Sequence, residues 1–243
     1  MKYAVISDIH GNMQALDAVL EHIKSQNVNK ILCLGDLAMA GPEPNKVIEF
    51  VKNQNWQIIQ GNTDNMIANY SDILFYKLKQ NAPIMANALK YDVSDIKQEN
   101  INFLKNLPVN FELNVEDVKI LMVHGSPRKQ DENIFPNLTD DEVTQMTSAT
   151  DANLILCGHT HIPCGYQLKN KKTVVNVGSV GRPFTDKPLS CYAIINIENS
   201  EFEVEHHYVD YDKNKAAEIL RLRNFTGSDK LAQMLINPVE RHI

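Results

Sequence analysis

The chain has 243 residues, of which 43% are hydrophobic and 22% are charged, and its formal net charge is −6. This composition is typical of a globular protein that is long enough to bury a core, so we expect one large domain over residues 1–243. The acidic balance, without a long run of basic residues, argues against a nucleic-acid polymer as the main partner. It remains compatible with a nucleotide.

The cysteines and the apolar segments bear on the location of the protein. The four cysteines form no C-x-x-C pair and lack the pattern of disulfide-rich secreted domains: Cys33, Cys157, Cys164 and Cys191. The first apolar stretch is too short for a signal peptide, and no segment approaches the length of a membrane span. We therefore predict a cytoplasmic protein with reduced thiols and no membrane contact.

The first quarter of the chain alternates between strand and helix patterns. Strands are predicted at 2–7, 30–34 and 56–60. Apolar residues with helical spacing lie between them, at Leu16, Val19, Leu20 and Ile23 and again at Val47, Ile48 and Val51. This order predicts a parallel, right-handed βαβαβ core.

The next segment, at about 65–107, has a mostly helical and polar pattern. We interpret it as an insertion of two or three helices, with breaks at Pro83 and near 92–94. Such an insertion would cover one side of the strand ends and shape a substrate pocket.

The rest of the chain is rich in short strand patterns. Strands are predicted at 109–114, 118–123 and 153–156. The spacing of Thr139 and Glu142 predicts a short capped helix before the last of these. Four further strand-like runs lie at 164–168, 173–177, 191–197 and 202–209, and helical patterns follow at 216–223 and 230–236. The four runs are expected to form an antiparallel second sheet, which the two helices close.

Seven polar residues follow the ends of five predicted strands. They are Asp8, His10, Asp36, Asn62, His124, His159 and His161. Ligands of open α/β sheets bind outside the carboxyl ends of the strands, so we expect these side chains to converge. Carboxylate, amide and imidazole groups without sulfur suit Mn²⁺, Fe²⁺ or Zn²⁺ and do not suit a structural thiolate zinc site.

These residues form five motifs in order along the chain: Asp8-x-His10, Gly35-Asp36, Gly61-Asn62, His124-Gly125 and Gly158-His159-Thr160-His161. The set resembles the signature motifs of the calcineurin-like metallophosphoesterases, and the resemblance extends from the first strand to Pro183. It implies the α/β fold of that family, a four-layer αββα sandwich of two mixed sheets flanked by helices.

The resemblance also implies cofactors and residue roles. Two divalent metal ions would bind, with Mn²⁺ preferred and Fe, Zn, Ni or Mg as alternatives. The first ion would be held by Asp8, His10 and His161, the second by Asn62, His124 and His159, and Asp36 would bridge them. The implied catalytic residues are Asp36, Asn62 and His124. The implied activity is hydrolysis of a small soluble phosphate ester or anhydride by a hydroxide shared between the ions, as in a phosphodiesterase or phosphatase.

One position departs from the family pattern. Many members carry a histidine directly after the motif asparagine, where it is proposed to protonate the leaving group, and here the residue is Thr63. A general acid typically contributes about 10²–10⁴-fold to the rate. We therefore expect substrates with good leaving groups, such as phosphoanhydrides, nucleotides or aryl esters.

Three residues are candidate substrate contacts: Asn12, Thr63 and Arg182. Asn12 opens the first helix and either caps it, which we favour, or faces phosphate. Arg182 lies in the glycine-containing loop 176–183 and either binds phosphate or is an ordinary surface arginine. Asp64 is expected to orient a loop or a ligand. The remaining histidines are expected to be solvated: His22, His206, His207 and His242.

Two alternative functions stay open. A hydrolase of dinucleoside polyphosphates would be the anhydride version of the same chemistry. A non-catalytic scaffold of the same fold, like the retromer subunit, also lacks the usual histidine, but a scaffold has no need of seven intact ligands. The expected partner is a small phosphorylated substrate, for example a nucleotide, and a homo-oligomer is also compatible with the sequence.

Overall fold

Two five-stranded sheets form the centre of the computed structural model, which describes residues 1–237. The strands are β1 (Lys2–Ile6), β2 (Lys30–Cys33), β3 (Gln57–Ile58), β4 (Phe111–Val115), β5 (Val118–Met122), β6 (Leu154–Cys157), β7 (Cys164–Gln167), β8 (Thr173–Asn176), β9 (Ser190–Glu198) and β10 (Glu201–Val209). The first sheet has the order β10-β9-β1-β2-β3 and the second the order β4-β5-β6-β8-β7. Both sheets contain parallel and antiparallel pairs, so both are mixed.

The helices occupy the segments between these strands. They are α1 (Met13–Lys24), α2 (Pro44–Lys52), α3 (Asn62–Ala68), α4 (Asp72–Asn81), α5 (Pro83–Asp95), α6 (Gln98–Asn106), α7 (Asp140–Met146), α8 (Lys213–Leu222) and α9 (Ser228–Ile236). The capping box predicted from Thr139 and Glu142 is confirmed, because each residue bonds the backbone N–H of the other at the start of α7. Within residues 1–237, no helix combines the length and the apolar character that crossing a membrane requires.

The sheets pack face to face and carry helices on their outer faces. Successive side chains of a strand point to opposite sides of the sheet, and β1 shows both sides. Tyr3 and Val5 lie in a core shared with the second sheet, whereas Ala4 and Ile6 pack in the cluster that includes the apolar face of α1. On the far side, residues of the second sheet pack against α7. The predicted αββα sandwich of two mixed sheets is therefore confirmed.

The grouping of the last four strands was predicted wrongly. They do not form an antiparallel second sheet, because β9 and β10 extend the first sheet and β7 and β8 belong to the second. β9 pairs antiparallel with β1, where Tyr3 is opposite Ile195, and β8 pairs parallel with β6, where Ile155 is opposite Val174. An apolar pattern indicates a strand but does not specify which strand lies beside it.

The predicted insertion at about 65–107 contains three complete helices, α4 to α6, after the end of α3, so the prediction of two or three helices is confirmed. The break at Pro83 is confirmed, since α5 begins there. The second break lies at 96–97, slightly beyond the predicted 92–94, because α5 continues to Asp95 and α6 begins at Gln98. The polar residue Asp92 of α5 is fully buried and lies 2.7 Å from Arg223, an ion pair that no local pattern could reveal.

Three of the remaining histidines are half-buried rather than solvated. Nδ1 of His22 lies 2.8 Å from the hydroxyl of Tyr192, and the ring of His207 is stacked on the same tyrosine. Nε2 of His206 lies 2.8 Å from the carbonyl of Asn176. Long-range packing explains this difference, because His22 and His207 lie between α1 and the first sheet, whereas His206 contacts β8 of the second sheet. His242 lies outside the described residues.

Candidate metal centre

The seven predicted ligands lie together where strands of both sheets end. They form a series in which a side-chain nitrogen or oxygen of each residue lies 2.8 to 3.6 Å from one of the next residue. The order of this series is Asp8, His161, His10, Asp36, His124, Asn62 and His159. Asp8, Asp36 and Asn62 follow strands of the first sheet, and the other four side chains come from loops after β1, β5 and β6. The structure therefore brings every one of these residues to a single site.

An unusual backbone conformation places five of the seven side chains. Asp8, His10, Asp36, His159 and His161 have φ between 48° and 66°, in the left-handed region. A residue other than glycine in such a conformation costs about 1–3 kcal/mol, and these conformations cluster at functional sites. The turns after β1, β2 and β6 thus store strain while directing side chains inward.

The first predicted ligand group is compact and buried. Nε2 of His161 is 3.1 Å from Oδ1 of Asp8 and 3.1 Å from Nε2 of His10. Nε2 of His10 is 3.8 Å from the same oxygen of Asp8. All three side chains converge on one point, as a common cation would require.

The second predicted group is arranged around the amide of Asn62. Its Oδ1 lies 3.0 Å from Nε2 of His124 and 2.8 Å from Nδ1 of His159. Asp36 lies between the two groups, with Oδ2 at 3.3 Å from His124 and 3.6 Å from His10. The carboxylate of Asp36 is therefore within reach of both groups, and its bridging role stays a prediction.

Backbone carbonyls orient three of the imidazole rings. Nδ1 of His10 is 3.1 Å from the carbonyl of Met39, and Nδ1 of His124 is 2.8 Å from that of Leu34. Nδ1 of His161 contacts the carbonyl of Arg182. A ring that donates Nδ1–H to a carbonyl presents the lone pair of Nε2 to a metal ion.

Asp64 and two glycines hold the loops in place. The carboxylate of Asp64 accepts hydrogen bonds from the N–H groups of Leu37 and Gly61, at 2.9 and 3.0 Å, which agrees with its predicted orienting role. A Cβ at Gly61 would lie 2.0 Å from Oδ1 of Asp36, and one at Gly158 would lie 2.5 Å from Oδ2 of Asp8. Larger residues at these two positions would therefore displace the ligand carboxylates.

The buried carboxylates of Asp8 and Asp36 favour positive charge within the site, whether it is carried by a proton or by a metal ion. Burial lowers the pKa of His124, but the carboxylates of Asp36 and Asp8 outweigh it and raise that pKa to about 10. Burial raises the pKa of Asp36, but His124 and His10 outweigh it and lower that pKa to about 2. Burial, aided by His124, lowers the pKa of His159 to about 4, so its ring is neutral at pH 7 and able to bind a metal.

The donor chemistry fits divalent metal ions. Oδ1 of Asp8 is buried and has no hydrogen bond of normal geometry among the described residues. A buried carboxylate oxygen without a hydrogen bond is costly unless a cation accompanies it. Two sets of three residues bring ligand atoms within 4.8 Å of one another: Asp8, His10 and His161, and Asp8, Asp36 and His124. The residues present therefore suit the ions predicted from the sequence.

Residues 1–200 match the calcineurin-like phosphoesterase superfamily domain. The chain belongs to this superfamily. It is 32% identical over 231 residues to the uncharacterized protein MJ0912 of Methanocaldococcus jannaschii, covering 88% of this chain and 90% of that protein. This confirms the resemblance predicted from the five motifs.

Solved structures show the same fold over nearly the whole chain. A metallophosphoesterase from Sphaerobacter thermophilus superposes with a TM-score of 0.78 at 25% identity, covering 98% of this chain and 99% of that one. The hypothetical protein PH1004 from Pyrococcus horikoshii superposes with a TM-score of 0.86 at 24% identity, covering 99% of each chain.

A pocket of about 360 Å³ opens above the ligands of this phosphoesterase domain. Its lining includes five of the seven ligand residues, namely His10, Asp36, Asn62, His159 and His161. Two predicted substrate contacts, Thr63 and Arg182, also line it. The N–H of Thr63 donates to Oδ1 of Asp36 at 2.8 Å, while its hydroxyl donates to the carbonyl of Ala38 at 2.9 Å. Thr63 therefore positions the carboxylate of Asp36.

Asn12, the third predicted substrate contact, is fully buried and does not line this pocket. Its Oδ1 accepts from the N–H of Ala15 at 3.1 Å, which confirms that it caps α1. Its Nδ2 donates to the carbonyl of Gly181 at 2.9 Å. Asn12 thus connects α1 to the loop that carries Arg182, and the structure does not bring its side chain into the pocket.

Sequence reasoning missed three apolar residues of the pocket: Met85, Phe184 and Met234. They come from α5, from the loop before β9 and from α9. Phe184 follows directly after the loop 176–183 that was already singled out, so its position offered a signal. Met85 and Met234 lie in helices whose packing could not be predicted from local patterns.

Proposed function

We propose that this protein is a metal-dependent phosphoesterase that hydrolyses a small phosphate ester or anhydride, preferentially a phosphodiester. The observation that carries the proposal is the set of seven oxygen and nitrogen ligands, five of which line the floor of one pocket. Two divalent metal ions, when bound, would supply positive charge to the phosphoryl oxygens and lower the pKa of a water molecule.

The roles of the protein side chains follow from their positions. The first ion would be held by Asp8, His10 and His161, the second by Asn62, His124 and His159, with Asp36 shared. The N–H of Thr63 holds the shared carboxylate in place. The guanidinium of Arg182 is placed on the pocket wall, where it can contact a phosphate oxygen.

The leaving group must depart without a proton from Thr63. Its hydroxyl already donates to the carbonyl of Ala38, and an alcohol is a weak acid near neutral pH. Substrates whose leaving groups are stable as anions are therefore favoured, such as anhydrides or aryl esters. Equal kcat/KM for phenyl and alkyl phosphates would contradict this preference.

A dinucleoside polyphosphate remains one candidate of the anhydride class. The opposing proposal is a non-catalytic scaffold of the same fold. The complete ligand set favours the enzyme, because a scaffold does not need buried carboxylates and imidazoles that converge on one point. Turnover decides between the two.

The direct test is hydrolysis of bis-p-nitrophenyl phosphate by Mn²⁺-loaded protein. We expect turnover that requires added metal and falls by about 100-fold or more in Asp36→Asn, because the ligand shared by both groups is lost. Asp229→Asn, at a carboxylate that is 89% exposed on α9, is the matched control and keeps full activity. Metal-independent turnover, or equal turnover of Asp36→Asn, would refute the two-metal proposal. No turnover on any phosphate compound would favour the scaffold.

Three further proposals concern the setting of the enzyme. We propose Mn²⁺ as the native metal, which metal analysis of protein purified without added metal would test. We also propose a cytoplasmic location and a small phosphorylated partner rather than a nucleic-acid polymer. A homo-oligomer stays open, and light scattering of the purified protein would determine the assembly.

A further inference from the structure

The lining of the pocket above the predicted ligands includes three apolar side chains, which we call the apolar wall. They are Met85 of α5, Phe184 of the loop before β9 and Met234 of α9, and Phe184 lies beside the predicted ligand His161. All three side chains are half-buried. Such an apolar wall serves no purpose in holding phosphate or a metal ion, both of which require polar partners.

Phe184 and Arg182 connect this wall to the ligands. The ring of Phe184 stacks on His161, with ring centroids 4.8 Å apart and planes inclined by 12°. The guanidinium carbon of Arg182 is 5.6 Å from the centre of the Phe184 ring, and its Nη1 is 3.5 Å from Sδ of Met85. A positive charge therefore lies at the boundary between the apolar wall and the ligand floor.

A second cleft, on the other side of Asn62, has a different character. It is lined by Asn62, Asn65, Met66, Asn69, Leu74, Lys129, Gln130 and Asp131. Its lining is mixed, because amide and charged side chains lie beside Met66 and Leu74. The two clefts share Asn62, and the second is called the mixed cleft below.

We propose that the space beside the apolar wall of this pocket is a subsite for a planar aromatic group attached to the phosphate of the substrate. The proposal rests on the phosphoesterase function and names its substrate class: phosphate compounds that carry an aryl or heteroaryl group. The phosphate lies over the ligands and against Arg182, and the ring lies against Met85, Phe184 and Met234. Aromatic rings bind well to such surfaces because methionine sulfur and aromatic faces both attract them.

The size of the pocket agrees with one ring system. Its volume of about 360 Å³ is near the lower limit of small-molecule pockets, which span roughly 300–1,000 Å³. A phosphate with one aromatic group fits that space, whereas two aromatic groups would require the mixed cleft as well.

Binding of phosphonates tests the subsite without any leaving group. Phenylphosphonate and methylphosphonate share the charged head and cannot be hydrolysed at the carbon–phosphorus bond by this chemistry. Isothermal titration of Mn²⁺-loaded protein should give phenylphosphonate an affinity about 10-fold or more above that of methylphosphonate, the lower end expected for apolar groups in an apolar pocket. Equal affinities, or no measurable binding of phenylphosphonate, would overturn the proposal.

Variants of the wall locate the effect. Glutamine and leucine are both close to methionine in volume, but only leucine is apolar. Met85→Gln should therefore lower the ratio of phenylphosphonate affinity to methylphosphonate affinity several-fold, and Met85→Leu should preserve it. Met234→Ala should also lower the ratio. Met66 is a half-buried methionine of the mixed cleft. Met66→Ala is therefore the matched control and should leave the phenyl-to-methyl affinity ratio unchanged. If Met66→Ala changed the phenyl-to-methyl affinity ratio as much as Met85→Gln and Met234→Ala do, the proposed subsite would be refuted.

The subsite and the enzymatic function fail in different ways. Metal-dependent hydrolysis of bis-p-nitrophenyl phosphate with equal phosphonate affinities would refute the subsite and leave the phosphoesterase intact. Selective binding of phenylphosphonate without turnover on any phosphate compound would refute the phosphoesterase and support an aromatic phosphate-binding site.

Discussion

His159 and His161 are two residues apart, but they face different neighbours. Nδ1 of His159 lies 2.8 Å from Oδ1 of Asn62, whereas Nε2 of His161 lies 3.1 Å from Oδ1 of Asp8. Both residues have φ above 60°, so the left-handed turns after β6 direct the two rings to opposite ends of the site. One strand end therefore serves both ligand groups.

This arrangement predicts that the two histidines serve different ions. His159→Ala and His161→Ala should each retain about one Mn²⁺ per chain, while Asp36→Ala should weaken both sites, because its carboxylate lies between them. Equilibrium dialysis followed by elemental analysis counts the ions, and His22→Ala, in the last turn of α1 beside Tyr192, is the control that should keep two. Loss of both ions in either single histidine variant, or retention of both, would contradict the assignment.

The convergence of the seven predicted ligands could be predicted from the sequence, because polar residues beside glycines follow predicted strands at motif spacing. The roles of Asn12 and Thr63 were harder to predict. Each of these side chains bonds to backbone groups distant in sequence, such as the carbonyls of Gly181 and Ala38. Motif position indicates that such residues lie near the site but not whether their polar atoms face it.

At the scale of elements, the insertion is tied to the C-terminal helices by one buried ion pair. Nη2 of Arg223, directly after α8, lies 2.7 Å from Oδ1 of Asp92 in α5. Nη1 of Arg223 donates to the carbonyl of Gly41 at 2.7 Å, and Oδ2 of Asp92 accepts from the N–H of Ala40 at 2.8 Å. The pair thus holds α5, which carries Met85, against the loop after β2.

Removal of the arginine should therefore be costly. Arg223→Ala leaves the fully buried carboxylate of Asp92 without its cation, and breaking such a pair typically costs about 3–5 kcal/mol of unfolding free energy. Arg221→Ala, at a 40% exposed side chain that is 3.9 Å from Asp229, should cost about 0–1 kcal/mol. Urea unfolding measures both values, and similar losses for the two variants would refute the structural importance of the buried pair.

The elements themselves were largely predictable, but their partners were not. Every predicted strand of the first βαβαβ unit exists. Its parallel pairs are the exception that could be predicted, because consecutive strands joined by helices usually lie side by side. The placement of β9 beside β1 depends on residues more than 190 positions apart, such as Tyr3 and Ile195, and a local pattern contains no information about that register.

At the scale of the whole molecule, the candidate metal centre lies across the boundary between the two sheets. The first sheet supplies Asp8, His10, Asp36 and Asn62, and the second supplies His124, His159 and His161. The pocket has the same composite origin, because its apolar wall combines the insertion, the loop before β9 and the last helix. This is why motifs could locate the ligands whereas the wall emerged only from the packed fold.

A centre that joins both sheets should couple metal binding to the stability of the entire fold. A ligand that binds only the folded state stabilises it by about 2.7 kcal/mol at 100 times its Kd, which for a chain of this size raises Tm by about 5–10 °C. We expect Tm to rise with Mn²⁺ concentration in wild type and in Asp229→Asn, and to rise much less in Asp36→Asn, which lacks the carboxylate between the groups. Thermal unfolding followed by circular dichroism over a series of Mn²⁺ concentrations provides the measurement. A Tm independent of Mn²⁺, or an equal rise in Asp36→Asn, would mean that the ligands of the two sheets do not share bound ions.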